Sequence, residues 1–162
     1  MFLEKISTKD FEVFISENFR RTNKQISNEH CQHIITSMKN HPYYVQQLSH
    51  LTWNNAEKKV TDQVVEKSIT DLLNQNAIFY QRETDNLSNT QIGLLKAITA
   101  GVELLSSAAA IHEFGLGTSA SVKKNKMALE KKEILDLYEG APKFIDPAFE
   151  LWFKRAFSQT EK

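Results

Sequence analysis

A single thiol, Cys31, stands in the whole chain, so no disulfide can close within it. A lone cysteine suits a reducing compartment. Glycine and proline are scarce as well, five and three in 162 residues, which leaves little to interrupt helices and points to long helices with short connections. No apolar run reaches the roughly 18 residues that a membrane span needs. The longest, "AITAGVELLSSAAAI", is cut by Gly101 and by serines. The opening "MFLEKIST" meets Glu4 and Lys5 at once, which excludes a signal peptide there. A cytoplasmic chain with no membrane partner is the expectation. An excess of one charge is missing too. Twenty basic side chains balance twenty acidic ones, which argues against a nucleic-acid-coating protein while leaving room for a local basic patch.

What is present is enough for a core: 41% of residues are hydrophobic, in a length that fits one ordinary domain or two small ones. In "DFEVFISENF", Phe11, Phe14, Ile15 and Phe19 recur at helical spacing, with Thr8 or Asp10 as cap. Ser27 opens a second helix whose stripe is Cys31, Ile34, Ile35 and Met38, ending at Asn40. Its capping box is incomplete, because His30 stands where an acid would serve. Pro42 suits the first turn of a third helix, with Tyr44, Val45, Leu48, Leu51 and Thr52 as its face. Thr61 caps a fourth, carrying Val64, Val65, Ile69, Leu72, Leu73 and, further on, Ile78. These segments predict a helical cluster over residues 1–86.

The pattern resets near residue 88. Ser88 caps "NTQIGLLKAITA", with Ile92, Leu95 and Ile98 as the expected buried face. "ELLSSAAAIHEF" reads as a second, shorter helix, "GLGTS" as a tight turn, and Ser119 or Ser121 as the start of a third helix. On that helix Val122 and Leu129 point inward, with Asn125 beside them. Ala120, Lys123, Lys124, Met127 and Lys131 point outward, and Glu130 sits at the margin. "EILDLYEG" alternates Ile134, Asp136 and Tyr138 against Leu135 and Leu137, as a strand does; a turn at Glu139 and Gly140 and a second strand in "APKFIDP" complete a hairpin. Asp146 and Pro147 start a last helix anchored by Phe149, Trp152, Phe153 and Phe157. Helix, helix, glycine turn, helix, hairpin is the order of a winged helix-turn-helix domain, expected over 87–162. The predicted fold is therefore mainly α, a helical lid-like domain followed by a winged helix with a small β-hairpin.

Five phrases, in order, carry a resemblance: "NHPYYVQQLSHLTW", "VTDQVVEKSITDLL", "LSNTQIGLLKAITAG", "SASVKKNKMALEKKEIL" and "KFIDPAFELWFKR". Together they resemble the C-terminal half of AAA+ ATPases of the archaeal/bacterial type, related to the STAND nucleotide switches. The resemblance implies a helical lid and terminal winged helix that follow an ATP-binding core. It also implies that His41, Pro42 and Tyr43 match the lid segment approaching the nucleotide. The positive end of that helix would face the nucleotide side.

The core itself is missing from these residues. There is no G-x-x-x-x-G-K-[ST] run and no hydrophobic strand ending in paired acids for magnesium. The resemblance thus implies a C-terminal portion that binds no cofactor alone, with ATP and magnesium arriving only through an N-terminal ATPase core. No enzymatic activity is expected of it. His30 and His33 lie one turn apart near Cys31, but nothing in the sequence completes a metal site with them. Three roles follow: coupling nucleotide state to a partner, binding DNA, or docking a protein. Lys123, Lys124 and Lys131, with Lys143 on the wing, favour phosphates. Met127 and the lysine stems favour a protein. The outer face has little chemistry for reading bases.

Overall fold

Residues 6–158 are described by a computed structural model. They divide into two compact units, one up to Asn76 and one from Ala77 on.

The first unit holds α1 (Thr8–Arg21), α2 (Asn28–Ser37), α3 (Pro42–Asn55) and α4 (Asp62–Gln75). Ser7, rather than Thr8 or Asp10, caps α1, its hydroxyl accepting the Asp10 N–H at 3.1 Å. Phe11, Ile15 and Phe19 of the expected stripe are buried, but Phe14 is 51% exposed and lines a cleft instead. Cys31, Ile34, Ile35 and Met38 are all buried, as their spacing requires. Ser27 caps α2, and His30 folds back so that its Nδ1 lies 2.9 Å from the Ser27 hydroxyl. Thr61 caps α4, which buries Val65, Ile69, Leu72 and Leu73 together with Ser68. Burying such side chains contributes about 1.5–3 kcal/mol each, which makes these stripes the main source of helix pairing. Where apolar contact runs out, polar side chains tie the helices. Lys24 donates to the carbonyls of Trp53 and Ala56 at 2.7 and 2.8 Å, closing the end of α3.

The second unit begins with α5 (Ala77–Asp85), then α6 (Asn89–Thr99), α7 (Ala108–Phe114) and α8 (Ser119–Lys131). β1 (Leu135–Asp136) pairs antiparallel with β2 (Lys143–Phe144), and α9 (Pro147–Ser158) closes the unit. The sequence places a boundary at 86/87; contacts divide the chain at 76/77 because α5 packs on α9 through Tyr80, Phe149 and Trp152. Ile78 does not extend the α4 face: it lies on α5, 74% exposed.

The α6 face is turned from its expected position. Gly93, Leu94, Leu95 and Ala97 are buried, while Ile92 and Ile98 are only half-buried. The cause is Gly93. A Cβ there would overlap the Phe114 carbonyl oxygen, so α6 presents bare backbone to the end of α7. α7 starts five residues later than its pattern suggests, at Ala108, because Ser107 caps it and leaves Leu104 outside, 74% exposed. Gly115, with φ 65, ends α7 in the left-handed conformation that glycine tolerates best. α8 starts at Ser119, one of the two starts expected; Thr118 caps it, and Ser121 supplies the return bond of the box. The strands are shorter than the alternation implies: Ile134 and Leu135 are both buried, because the backbone turns at Glu133 (φ 60) just before β1. Asp146 caps α9 by accepting from the N–H groups of Ala148 and Phe149, and the ring of Phe153 is fully buried between those of Phe149 and Phe157.

Among the described residues no helix is long and apolar enough to cross a membrane.

Candidate functional site

The outward face of α8 is built by its cap and its two anchors. Thr118 fixes the start, and Val122 and Leu129, both buried, fix the rotation. With those points set, Ala120, Lys123, Lys124, Met127 and Lys131 fall on the solvent side, all exposed, Met127 to 61%. Lys126 is half-buried and Glu130 exposed. Among the described residues no ion pair engages Lys123, Lys124 or Lys131. Asn125 is half-buried and donates its Nδ2 to the Thr90 hydroxyl at 3.1 Å, tying α8 to the first turn of α6. That bond resolves the odd polar residue on the inner side: a half-buried amide is acceptable where it has a partner. Thr90 itself carries no sequence signal for the role, since it reads as one more polar residue of a first helical turn.

Lys143 is exposed on β2, where register sets it opposite Asp136 on β1. The Asp136 carboxylate also accepts the Tyr138 N–H at 2.9 Å. Tyr138, at the tip of the hairpin, is 88% exposed, and Glu139 beside it is exposed as well. The wing thus carries two acids and one lysine, where the α8 face carries three lysines and, at its margin, one acid.

In the first unit, His41, Pro42 and Tyr43 open α3. Pro42 occupies the first helical position, and His41 is the cap residue, yet its side chain makes no capping bond. The His41 ring instead lies 5.0 Å from that of Tyr44, and its Nδ1 is buried with no hydrogen-bond partner among the described residues. Leaving such an atom unsatisfied costs about 1–3 kcal/mol. Pro42 and Tyr43 are exposed, and the Tyr43 hydroxyl accepts from Gln47 at 2.7 Å. The three residues are brought together by being consecutive, and among the described residues no charged side chain hydrogen-bonds or ion-pairs with them.

His30 and His33 do not share a centre. His30 Nε2 meets Asp62 at 2.8 Å and His33 Nε2 meets Glu66 at 3.8 Å, two separate links from α2 to α4. The carboxylate partners lie more than 30 residues away, which is why spacing alone does not find them. Cys31 between them is fully buried, and burial pushes its thiol up to about 11, with the Glu12 carboxylate adding to the shift. A thiol held protonated is a poor nucleophile and a poor ligand. Among the described residues no group of three or more His, Cys, Asp or Glu side chains could hold a metal ion. The first unit also has a cleft of about 430 Å³ between α1 and α3, walled by Phe14, Phe19 and Trp53; of these, Phe14 is the one that the stripe of α1 assigns to the core and the structure exposes.

Residues 78–155 match the family model described as "Probable winged helix domain". No curated protein and no solved structure matches the chain. The match starts next to the division between the two units and runs almost to the end of α9. The chain is thus mainly helical and ends in a winged-helix unit with a small hairpin. In that unit α6, α7 and α8 are the three helices and β1–β2 the wing.

Proposed function

We propose that the second unit is a non-catalytic binding module that docks onto duplex DNA through the outward face of α8. One observation carries the reading: Lys123, Lys124 and Lys131 project from a single face of the third helix with no acidic partner among the described residues. In a winged-helix unit this helix is the one shaped to enter a groove. Free ammonium groups there release counterions when they meet phosphates. The match to a winged-helix family supports the reading, since that architecture serves both DNA and protein contacts.

The test is fluorescence anisotropy of a labelled duplex with the full chain. Three phosphate contacts predict an affinity loss of about 40-fold between 50 and 200 mM salt. Absence of saturable binding at the lower salt would remove DNA as the partner. A protein docked on Met127 and the lysine stems is then the outcome to pursue.

The opening of α3 supports a second reading, in which His41, Pro42 and Tyr43 meet a nucleotide held by an ATPase core and the chain passes the nucleotide state onward. It is favoured by the buried, unpartnered Nδ1 of His41. The phosphate cradle and magnesium would come from outside these residues, since no phosphate-binding loop lies among them. The residues encoded ahead of this chain decide the matter: a phosphate-binding loop there supports the coupling role, and its lack removes it.

A further inference from the structure

The two surfaces of the winged-helix unit that could meet a duplex carry opposite charge. On α8, three exposed lysines are free of ion pairs, and Glu130 opposes them only from the margin. On the wing, two acids, Asp136 and Glu139, bracket the exposed Tyr138 and outnumber the one lysine, Lys143, which stands across the hairpin from Asp136 and is in no ion pair among the described residues. A polyanion is drawn to the first surface and repelled by the second. The side chains of α8 also limit what can be read. Its one amide, Asn125, spends its Nδ2 on Thr90, whereas reading adenine takes both the donor and the acceptor of an outward amide. Lysine is a point charge on a flexible stem and holds phosphates without the fixed fork that arginine offers a base.

We infer that α8 alone meets the duplex, along its phosphates and without regard to base sequence, while the wing stays clear of it. The inference rests on the DNA reading above. It names the mode of contact at the same face and departs from the expectation that Lys143 joins the lysines of α8.

The experiment uses the full chain, labelled duplexes of AT-rich, GC-rich and mixed sequence, and a salt series for each. The expected slope of log affinity against log salt is about −3, and Lys124→Ala lowers its magnitude by about one. Lys143→Ala leaves the slope unchanged, and the three duplexes agree within about fivefold. A slope that falls by one with Lys143→Ala, or a spread wider than that, overturns the inference and leaves the DNA reading standing. No binding by the unaltered chain at low salt overturns both. Circular dichroism of each variant, matched to the parent, keeps a folding defect from passing as lost contact.

Discussion

The two units are held together by different chemistry. In the first, helices that bury aliphatic stripes are cross-linked by polar side chains: His30 to Asp62, Asn55 to Ser68 and Asp71, Lys67 to Asn55, and Lys24 to two carbonyls. In the second, rings link α5, β2 and α9, with Asn125 to Thr90 as a polar tie between α8 and α6. Tyr80, Phe144, Phe149, Trp152, Phe153 and Phe157 form one connected aromatic cluster between α5, β2 and α9. An aromatic pair adds about 0.5–1.5 kcal/mol beyond the area it buries, and it commits no charged group. A polar link needs its lysines and acids for itself. The second unit can therefore spend its outward lysines on a partner, whereas Lys24 and Lys67 of the first are already engaged.

The largest test of this contrast is Phe153→Ala. Phe153 is fully buried and shares contacts with Phe144, Phe149 and Phe157, so its removal should destabilise the second unit by about 3–5 kcal/mol. Urea unfolding read through Trp152 in a Trp53→Phe background checks it, and a loss under about 1 kcal/mol would mean that the rings are not the main bond.

A smaller loss is expected in the first unit from Lys24→Met, which removes the ammonium both from two carbonyls and from the face of the Trp53 ring. Hydrogen bonds to a charged group contribute about 1.5–3 kcal/mol, to be read by unfolding through Trp53. An unchanged midpoint would show that water replaces the ammonium at no cost.

The smallest effect at neutral pH belongs to Cys31. Its folded-state value is raised from 9.0 to about 11, so the stability held by the neutral thiol is complete below pH 9 and is lost as pH rises toward 11. In that window the unfolded chain has released the proton and the folded chain has not. The difference between the parent and Cys31→Ala should shift against the parent by about 2–3 kcal/mol across it, and by nothing between pH 6 and 8. A flat difference up to pH 11 would show that the thiol ionises in place.

Helix identity was legible wherever a cap and a stripe agreed. Ser27, Thr61, Ser88 and Pro42 all open helices where their chemistry puts them, and Cys31, Ile34, Ile35 and Met38 are buried together. The same reasoning held for α8, where Val122 and Leu129 orient the lysine face. It failed where a neighbouring element overrode the local pattern. α6 turned toward Gly93 because the Phe114 carbonyl needed the space, and Phe14 opened onto a cleft rather than joining the core.

The sequence by itself determined that this chain is mainly helical, that its last part follows winged-helix order, and which residues of α8 face outward. Those properties depend on spacings of three and four residues and on caps, which are local. Tertiary structure decided what the outward lysines are worth. It tied Asn125 to a threonine 35 residues away, set Lys143 across from Asp136, and left Lys123, Lys124 and Lys131 without acidic partners among the described residues. Each of those facts is a meeting of residues far apart in the chain or on separate strands, and such meetings are settled by how the elements pack, which no local pattern encodes.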